Sequence, residues 1–466
     1  MAKITRCEDA RKYDFIVVGS GNGACAFLRQ YLACSSGGKI LVLEEGDNFF
    51  ETSEITHQRN WTQSYAEGNI FKLHTAQTSD EIPILSGRAC TMGGGGSINY
   101  TMIFESSDWL TKNLGHDQAY WDARKEELAR SFERKDPTTN LTAVARHVKK
   151  KLEELDFSVN KENNMEIGKH VNDHILLPFG IYLLPQTLQV TLKDQYVSLF
   201  ATTEEFADDN SQGEPTICNF DFFSGELGVL LYLISHLFLA FWVPNWLKFW
   251  MIRKPGVFNC LKRVSRTLVR ILNALDDILW SIVNPFKMGK HQWNLISAIV
   301  KFNIAREGYY EPQPVCLVNE NKKTKLYQIV LRCFEDKSRK NDPDFRVAET
   351  AIAKQIPLME SLGEKPHPIF QFLIRLLTRM PYKVEQIPNY INHYSRYDLL
   401  TEQHLSGGCV FGKALDLGLR SPKDTGKVLG SQNIYVADLS ASPLPRVSPQ
   451  MTAYLIGHHV ATQITK

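Results

Sequence analysis

YDFIVVGSGNGA, residues 13–24, is an apolar, β-branched run that ends abruptly in glycines. The run reads as a short buried strand, and the glycines as a tight turn opening a helix over the following residues. KILVLEEG, residues 39–46, reads as a second buried strand. Strand, turn, helix and strand in that order make a βαβ unit, which implies a parallel sheet. Within the turn, Gly19, Gly21, Gly23 and Ala24 fit G-x-G-x-x-G/A, with Ala24 in the last place. Gly19 permits the turn, Gly21 lets backbone approach a pyrophosphate, and a small residue at 24 lets helix and strand pack. Phosphates at such a helix N-terminus meet free N–H groups and the positive end of the dipole. Glu44, at the end of the second strand, offers a carboxylate to both ribose hydroxyls and disfavours a 2′-phosphate.

The rest of the chain suits a large globular protein. Its 466 residues suffice for two domains, and 43% hydrophobic with 22% charged residues excludes disordered or fibrous classes. Lys and Arg number 53 against 51 Asp and Glu, so nothing points to nucleic acid as a partner. Nine cysteines without a CxxC pair read as reduced thiols. The N-terminal segment has no apolar core of signal-peptide type, which implies an intracellular rather than a secreted protein.

Further along, residues 87–99 (GRACTMGGGGSIN) form a glycine-rich loop, and residues 119–155 read as helical with a break at Pro137. Residues 313–335 resemble a hairpin around a polar NENKKTK turn. Leu227 to Leu247 contains no Asp, Glu, Lys or Arg, and Trp242, Trp246 and Trp250 share a helix face. Lys248, Arg253, Lys254, Lys262, Arg263, Arg266 and Arg270 follow with no acid among them, beside a stripe of Leu261, Val264, Leu268, Ile271 and Leu275. A basic amphipathic helix of this kind lies on anionic membranes. A membrane-spanning helix and an apolar insertion over a substrate cavity are the alternatives.

Three further segments resemble the glucose–methanol–choline (GMC) oxidoreductases. Gly93, Gly94, Gly95, Gly96, Ser97, Ile98 and Asn99 match that family's glycine-rich flavin loop, and IGKHVNDH (167–174) its V-G-x-N-L-x-D-H. HLSGGCVFGKALD from His404 and NIYVADLSASPLPRVSPQMT from Asn433 resemble its H-x-x-G-x-C and C-terminal blocks. The wording is most similar to the cholesterol-oxidase and long-chain alcohol oxidase branch.

The resemblance implies an α/β architecture: an FAD-binding, Rossmann-like parallel-sheet domain formed by residues 1–175 and 400–466. A second, α+β substrate domain would span 176–399, with a six-stranded antiparallel sheet and a membrane-facing insertion at about 226–285. The implied reaction is hydride transfer from the alcohol carbon of a sterol or long-chain substrate to FAD, reoxidised by oxygen or another acceptor. His404 takes the place of the family's catalytic histidine. Ser448 stands where Asn or His is usual, so the partner group is shorter and no base at neutral pH. The resemblance also puts Asp438 near the ribityl chain and phosphates, and Pro449 and Gln450 against the flavin pyrimidine. Asn99 and the glycines at 93–96 would lie beside the isoalloxazine. Cys409 reads as packing, and His458 and His459 carry no metal assignment.

One departure matters. The family's later pass through the nucleotide domain, with a strand ending in A-G-A, has no counterpart here. Its loss is expected to expose apolar faces and sheet edges. A catalytically silent flavoprotein fold is therefore the alternative function. An NAD-dependent dehydrogenase would fit the βαβ unit but not the C-terminal block.

Overall fold

The structure is a computed structural model. It describes residues 13–48, 71–97, 107–131, 173–184, 199–203, 216–225, 293–316, 323–336, 341–363, 379–409 and 426–465, single positions inside these ranges and residues 429–430 and 446–448 excepted, with isolated positions elsewhere. The elements form two cores.

In the first core, β1 (Phe15–Val18) pairs in parallel with β2 (Ile40–Leu43), and α1 (Asn22–Cys34) connects them. The βαβ unit is therefore present, but the strands are not buried as read. Val17 packs inward, and Phe15 meets Phe27 and Tyr31 of α1, whereas Ile16, Val18, Val42 and Leu43 are exposed. Alternation along β1 sends Ile16 and Val18 to the far face, whereas the successive residues Val42 and Leu43 at the end of β2 are both exposed, which alternation does not explain. Among the described residues this parallel sheet has only two strands.

The inner face rests on α6 (Gln450–Ile464), which crosses α1 where Gly457 meets the backbone of Gly23. A Cβ on Gly457 would collide with the Gly23 backbone, so this crossing needs glycine at 457, while a Cβ on Gly23 would strike the backbone of Ala437 on another side. α2 (Ser107–Leu114) and α3 (Gln118–Ser131) supply Leu110, Leu114 and Trp121 to the same core. His458 and His459 are buried in it: His459 Nδ1 lies 2.9 Å from Tyr120 Oη, and His458 Nε2 lies 3.5 Å from Glu127.

Among the described residues, the second core lies between a nine-stranded mixed sheet and two helices. The strands are β3 (Phe71–Thr78), β4 (Pro83–Ala89), β5 (His174–Leu183), β6 (Leu199–Thr203), β7 (Thr216–Gly225), β8 (Trp293–Asn303), β9 (Arg306–Cys316), β10 (Lys323–Arg332) and β11 (Leu400–Thr401). Their order is β6-β7-β8-β5-β11-β4-β3-β10-β9. The sheet differs from the six-stranded antiparallel expectation. The β3–β4 hairpin inserts into it and pairs in parallel with β10 and β11. Residues 71–89, assigned by sequence to the nucleotide domain, thus lie in the same sheet as the substrate region. The hairpin read at 313–335 is β9–β10.

α4 (Pro343–Leu362) packs on β5 and β8. Its first turn is closed by Asp342, whose carboxylate accepts from the Phe345 N–H at 3.2 Å. α5 (Ile387–Tyr397) places Tyr390 and Tyr394 one turn apart, so both hydroxyls donate to carbonyls of β5, at Pro178 and Leu176. The apolar run at 227–246 lies outside the described residues. Among the described residues no helix is long and apolar enough to cross a membrane. The helical positions described between 260 and 278 are all exposed, Val264, Arg263, Arg270, Ile271, Leu275 and Ile278 among them, as is Trp250.

Candidate active site

The glycine turn sits between β1 and α1. Gly19 takes φ +87°, a left-handed conformation open to glycine, and its N–H donates to Leu43 O at 2.7 Å. Gly21 precedes the first residue of α1, whose N-terminus has no side-chain cap. A Cβ built on Gly21 meets nothing within 4 Å, and the backbone there is extended (φ −68°, ψ −174°). Neither conformation nor protein packing requires glycine at this position. What remains is space beside an uncapped helix N-terminus, the shape a pyrophosphate needs.

Ser20, which the sequence reading passed over, ties this turn together. Its N–H and hydroxyl both donate to Glu44 Oε2, at 2.9 and 2.7 Å, and its Oγ accepts from the Gly93 N–H at 2.9 Å. Glu44 Oε1 accepts from the Gly46 N–H at 3.0 Å. The carboxylate therefore braces the turn, and Oε1 keeps acceptor capacity toward a ribose hydroxyl.

Gly93–Gly96 bring the second glycine loop onto the first. Gly94 has φ +54° and faces Gly21 so closely that a Cβ would lie 2.9 Å from the Gly21 Cα, while Gly96 abuts the Asn22 side chain. Asp438 approaches from the C-terminal block, with its Cα 3.2 Å from a Cβ on Gly23. Its carboxylate caps the short turn at 439–441 by accepting from Ser440 N–H and Oγ–H. Pro449 and Gln450 begin α6, and Ala24 lies within the first turn of α1. Asn99 and Ser448 lie outside the described residues.

The segment after β11 links this region to His404. Gly407, Cys409 and Phe411 donate their N–H groups to Leu439, Ser440 and Ala441, the turn that starts at Asp438. Cys409 is half-buried against the first core.

His404 itself is enclosed by charged and polar groups. Its N–H donates to Asp173 Oδ1 at 2.9 Å, and its Nδ1 lies 3.2 Å from Glu402 Oε2 and 3.1 Å from His174 Nδ1. Lys301, reaching in from β8, forms an ion pair with Glu402 Oε1. Both side chains are nearly shut off from solvent, at 7% and 11% exposure. Burial and the Lys301 charge hold the His404 pKa well below the ordinary imidazole value, so the ring stays neutral at pH 7. Burial pushes Asp173 up to about 7, against hydrogen bonds from His404, Thr401 and His174 that favour its ionised form.

His174, Glu402 and His404 have ligand atoms within 4.8 Å of one another, a spacing open to a metal ion. Lys301 already neutralises the only carboxylate of the three, which leaves two neutral imidazoles for a dication. The cluster reads better as a hydrogen-bonded unit, and no metal is assigned.

Residues 318–457 match the family model described as GMC oxidoreductase. The fold is that of the GMC oxidoreductases. Formate oxidase from Aspergillus oryzae RIB40 superposes with a TM-score of 0.56 at 12% identity, over 97% of this chain and 98% of that one. Pyridoxine 4-oxidase from Mesorbium loti gives 0.50 at 11% identity, over 97% and 98%. No curated protein matches the chain in sequence. Within the GMC fold, the open turn at Gly21 and the cluster at His404 are the two halves of the candidate site.

Proposed function

We propose that this chain is an FAD-dependent oxidoreductase of the GMC type that oxidises an alcohol group on a hydrophobic substrate. The observation that carries the reading is Gly21: a glycine with open space in front of it, at an uncapped helix N-terminus, closed in by a second glycine loop. Gly19, Gly21, Gly93–Gly96 and Asp438 would hold FAD, with α1 facing its pyrophosphate and Glu44 Oε1 its ribose. Bound there, FAD supplies the hydride acceptor and passes the electrons to oxygen or another acceptor. The chain's own part is proton handling and positioning. His404, neutral and partly buried, takes the hydroxyl proton as the alcohol carbon gives up its hydride. Ser448 orients the substrate oxygen.

The substrate class and a membrane-surface location rest on a separate feature. Val264, Ile271, Leu275 and Ile278 are exposed apolar residues at helical positions that alternate with exposed Arg263 and Arg270, and Trp250 is exposed as well. Such a face can draw a sterol or long-chain alcohol from an anionic bilayer.

The test is to purify the full chain in mild detergent with FAD present during expression, record its visible spectrum, and add fatty alcohols or a sterol without oxygen. A bound flavin spectrum that one of these bleaches supports the reading. A colourless folded protein, or a flavin that none bleaches, moves the chain to a catalytically silent fold.

A further inference from the structure

We propose that Glu402 is a positioning residue for proton transfer: its carboxylate keeps the single proton of His404 on Nδ1, leaving Nε2 bare to accept the proton of an alcohol. The inference deepens the reading of His404 as a base and rests on it.

The argument is geometric. A neutral imidazole carries one proton, and its position follows from what each nitrogen faces. His404 Nδ1 has two acceptors in reach, Glu402 Oε2 at 3.2 Å and His174 Nδ1 at 3.1 Å. A carboxylate oxygen cannot donate, so the hydrogen between it and a ring nitrogen belongs to the ring. His174 Nδ1 stands 3.8 Å from the same oxygen, outside hydrogen-bond range. The proton shared by the three atoms therefore sits on His404, and His174 Nδ1 accepts. The His404 backbone is pinned as well, through its N–H to Asp173, and the Glu402 N–H donates to His174 O at 3.0 Å. Ring and carboxylate are thus held by the same strand end.

Lys301 gives the arrangement its balance. A lone buried carboxylate against His404 would draw a second proton onto the ring and remove the base. The ammonium on Oε1 offsets that pull, so the ring is oriented without being charged. When the alcohol proton arrives at Nε2, the imidazolium that forms faces Glu402 Oε2 directly. The charged and titratable groups around His404 are Asp173 and His174 at the start of β5, Lys301 on β8 and Glu402 on its own segment, among the described residues.

Two measurements test this. The first uses the full chain labelled with 15N-histidine and needs no activity. The His404 ring should show a protonated Nδ1 and a bare Nε2, and Glu402→Gln should mix or reverse that pattern. A wild-type His404 protonated on Nε2 overturns the proposal. The second is the pH profile of flavin reduction. Glu402→Gln should lower the limiting rate about 100-fold, with KM within a few-fold and the inflection displaced, and Glu402→Asp should recover part of the rate. Because Glu402→Gln leaves Lys301 without its carboxylate and can cost the fold, Lys301→Met with Glu402→Gln is the second variant. It should keep the fold and the rate loss together. A double variant with wild-type rate and pH profile overturns the assignment. If no alcohol reduces the flavin, the function has failed while the tautomer result still stands.

Discussion

The two halves of the site treat their polar groups in opposite ways. Around Gly21 the backbone holds N–H groups at a helix start, and no side chain closes them off. Around His404 the side chains close on one another: Glu402 on Lys301 and His404, His404 on His174, and Asp173 on the His404 backbone. The first half is built to receive an anion from outside. The second has its charged groups already engaged with one another and, on the proposed function, would take up one proton from the substrate. Recognition there is a matter of vacant backbone, and chemistry a matter of an oriented ring in a dry setting. The same contrast governs cost. One carboxylate, Glu44, braces the glycine turn, whereas the second half packs two carboxylates, two imidazoles and an ammonium together and so responds to pH.

That comparison can be broken from either side. His404→Ala should leave bound flavin intact and lower its reduction by an alcohol about 1,000-fold, read by anaerobic stopped-flow. Gly21→Val should do the reverse. A Cβ there meets no atom of the described residues within 4 Å, so thermal unfolding of the flavin-free chain should hold steady while FAD affinity falls at least about 100-fold. Equal loss of stability in Gly21→Val would mean the space is needed by the protein itself.

The pH contrast gives a third test. Asp173 titrates near pH 4 when unfolded and is pushed up to about 7 by burial. Its proton is held more tightly in the fold, so its contribution is full below about pH 4 and is lost as pH rises through 7. Relative to Asp173→Asn, the wild-type chain should lose on the order of 4 kcal/mol across that range, measured by urea unfolding at several pH values. The smallest effect sharpens the glycine side. Gly457→Ala would press a methyl group into the backbone of Gly23 and should cost about 2 kcal/mol, a loss that appears in melting temperature before flavin content.

The glycine half was legible because its information is local. Spacing within residues 13–24, and an acid at the end of the next strand, describe a turn that forms wherever those residues meet. Even so, Ser20 escaped notice. Its value lies in joining Glu44 to Gly93, a contact no short pattern encodes. The burial of β1 and β2 was misread for a related reason. FIVV and ILVL look the same whether a strand has cover on both faces or on one, and here Ile16, Val18, Val42 and Leu43 are exposed.

On the histidine side, His404 could be picked out by its motif and Glu402 could not, although one signal was present. Residues two apart in an extended segment share a face, so an acid two places before a catalytic histidine points toward it. Lys301 carried no such signal. It comes from a strand about a hundred residues earlier in the chain, and only the pairing of β8 with β5, and of β5 with β11, brings it to Glu402. The amino-acid sequence by itself determined the βαβ turn, its glycines and the identity of the candidate base, because each is written in neighbouring residues. The tertiary structure alone decided which charges surround that base and which groups face its Nδ1. Those depend on strands that meet only once the large sheet has formed.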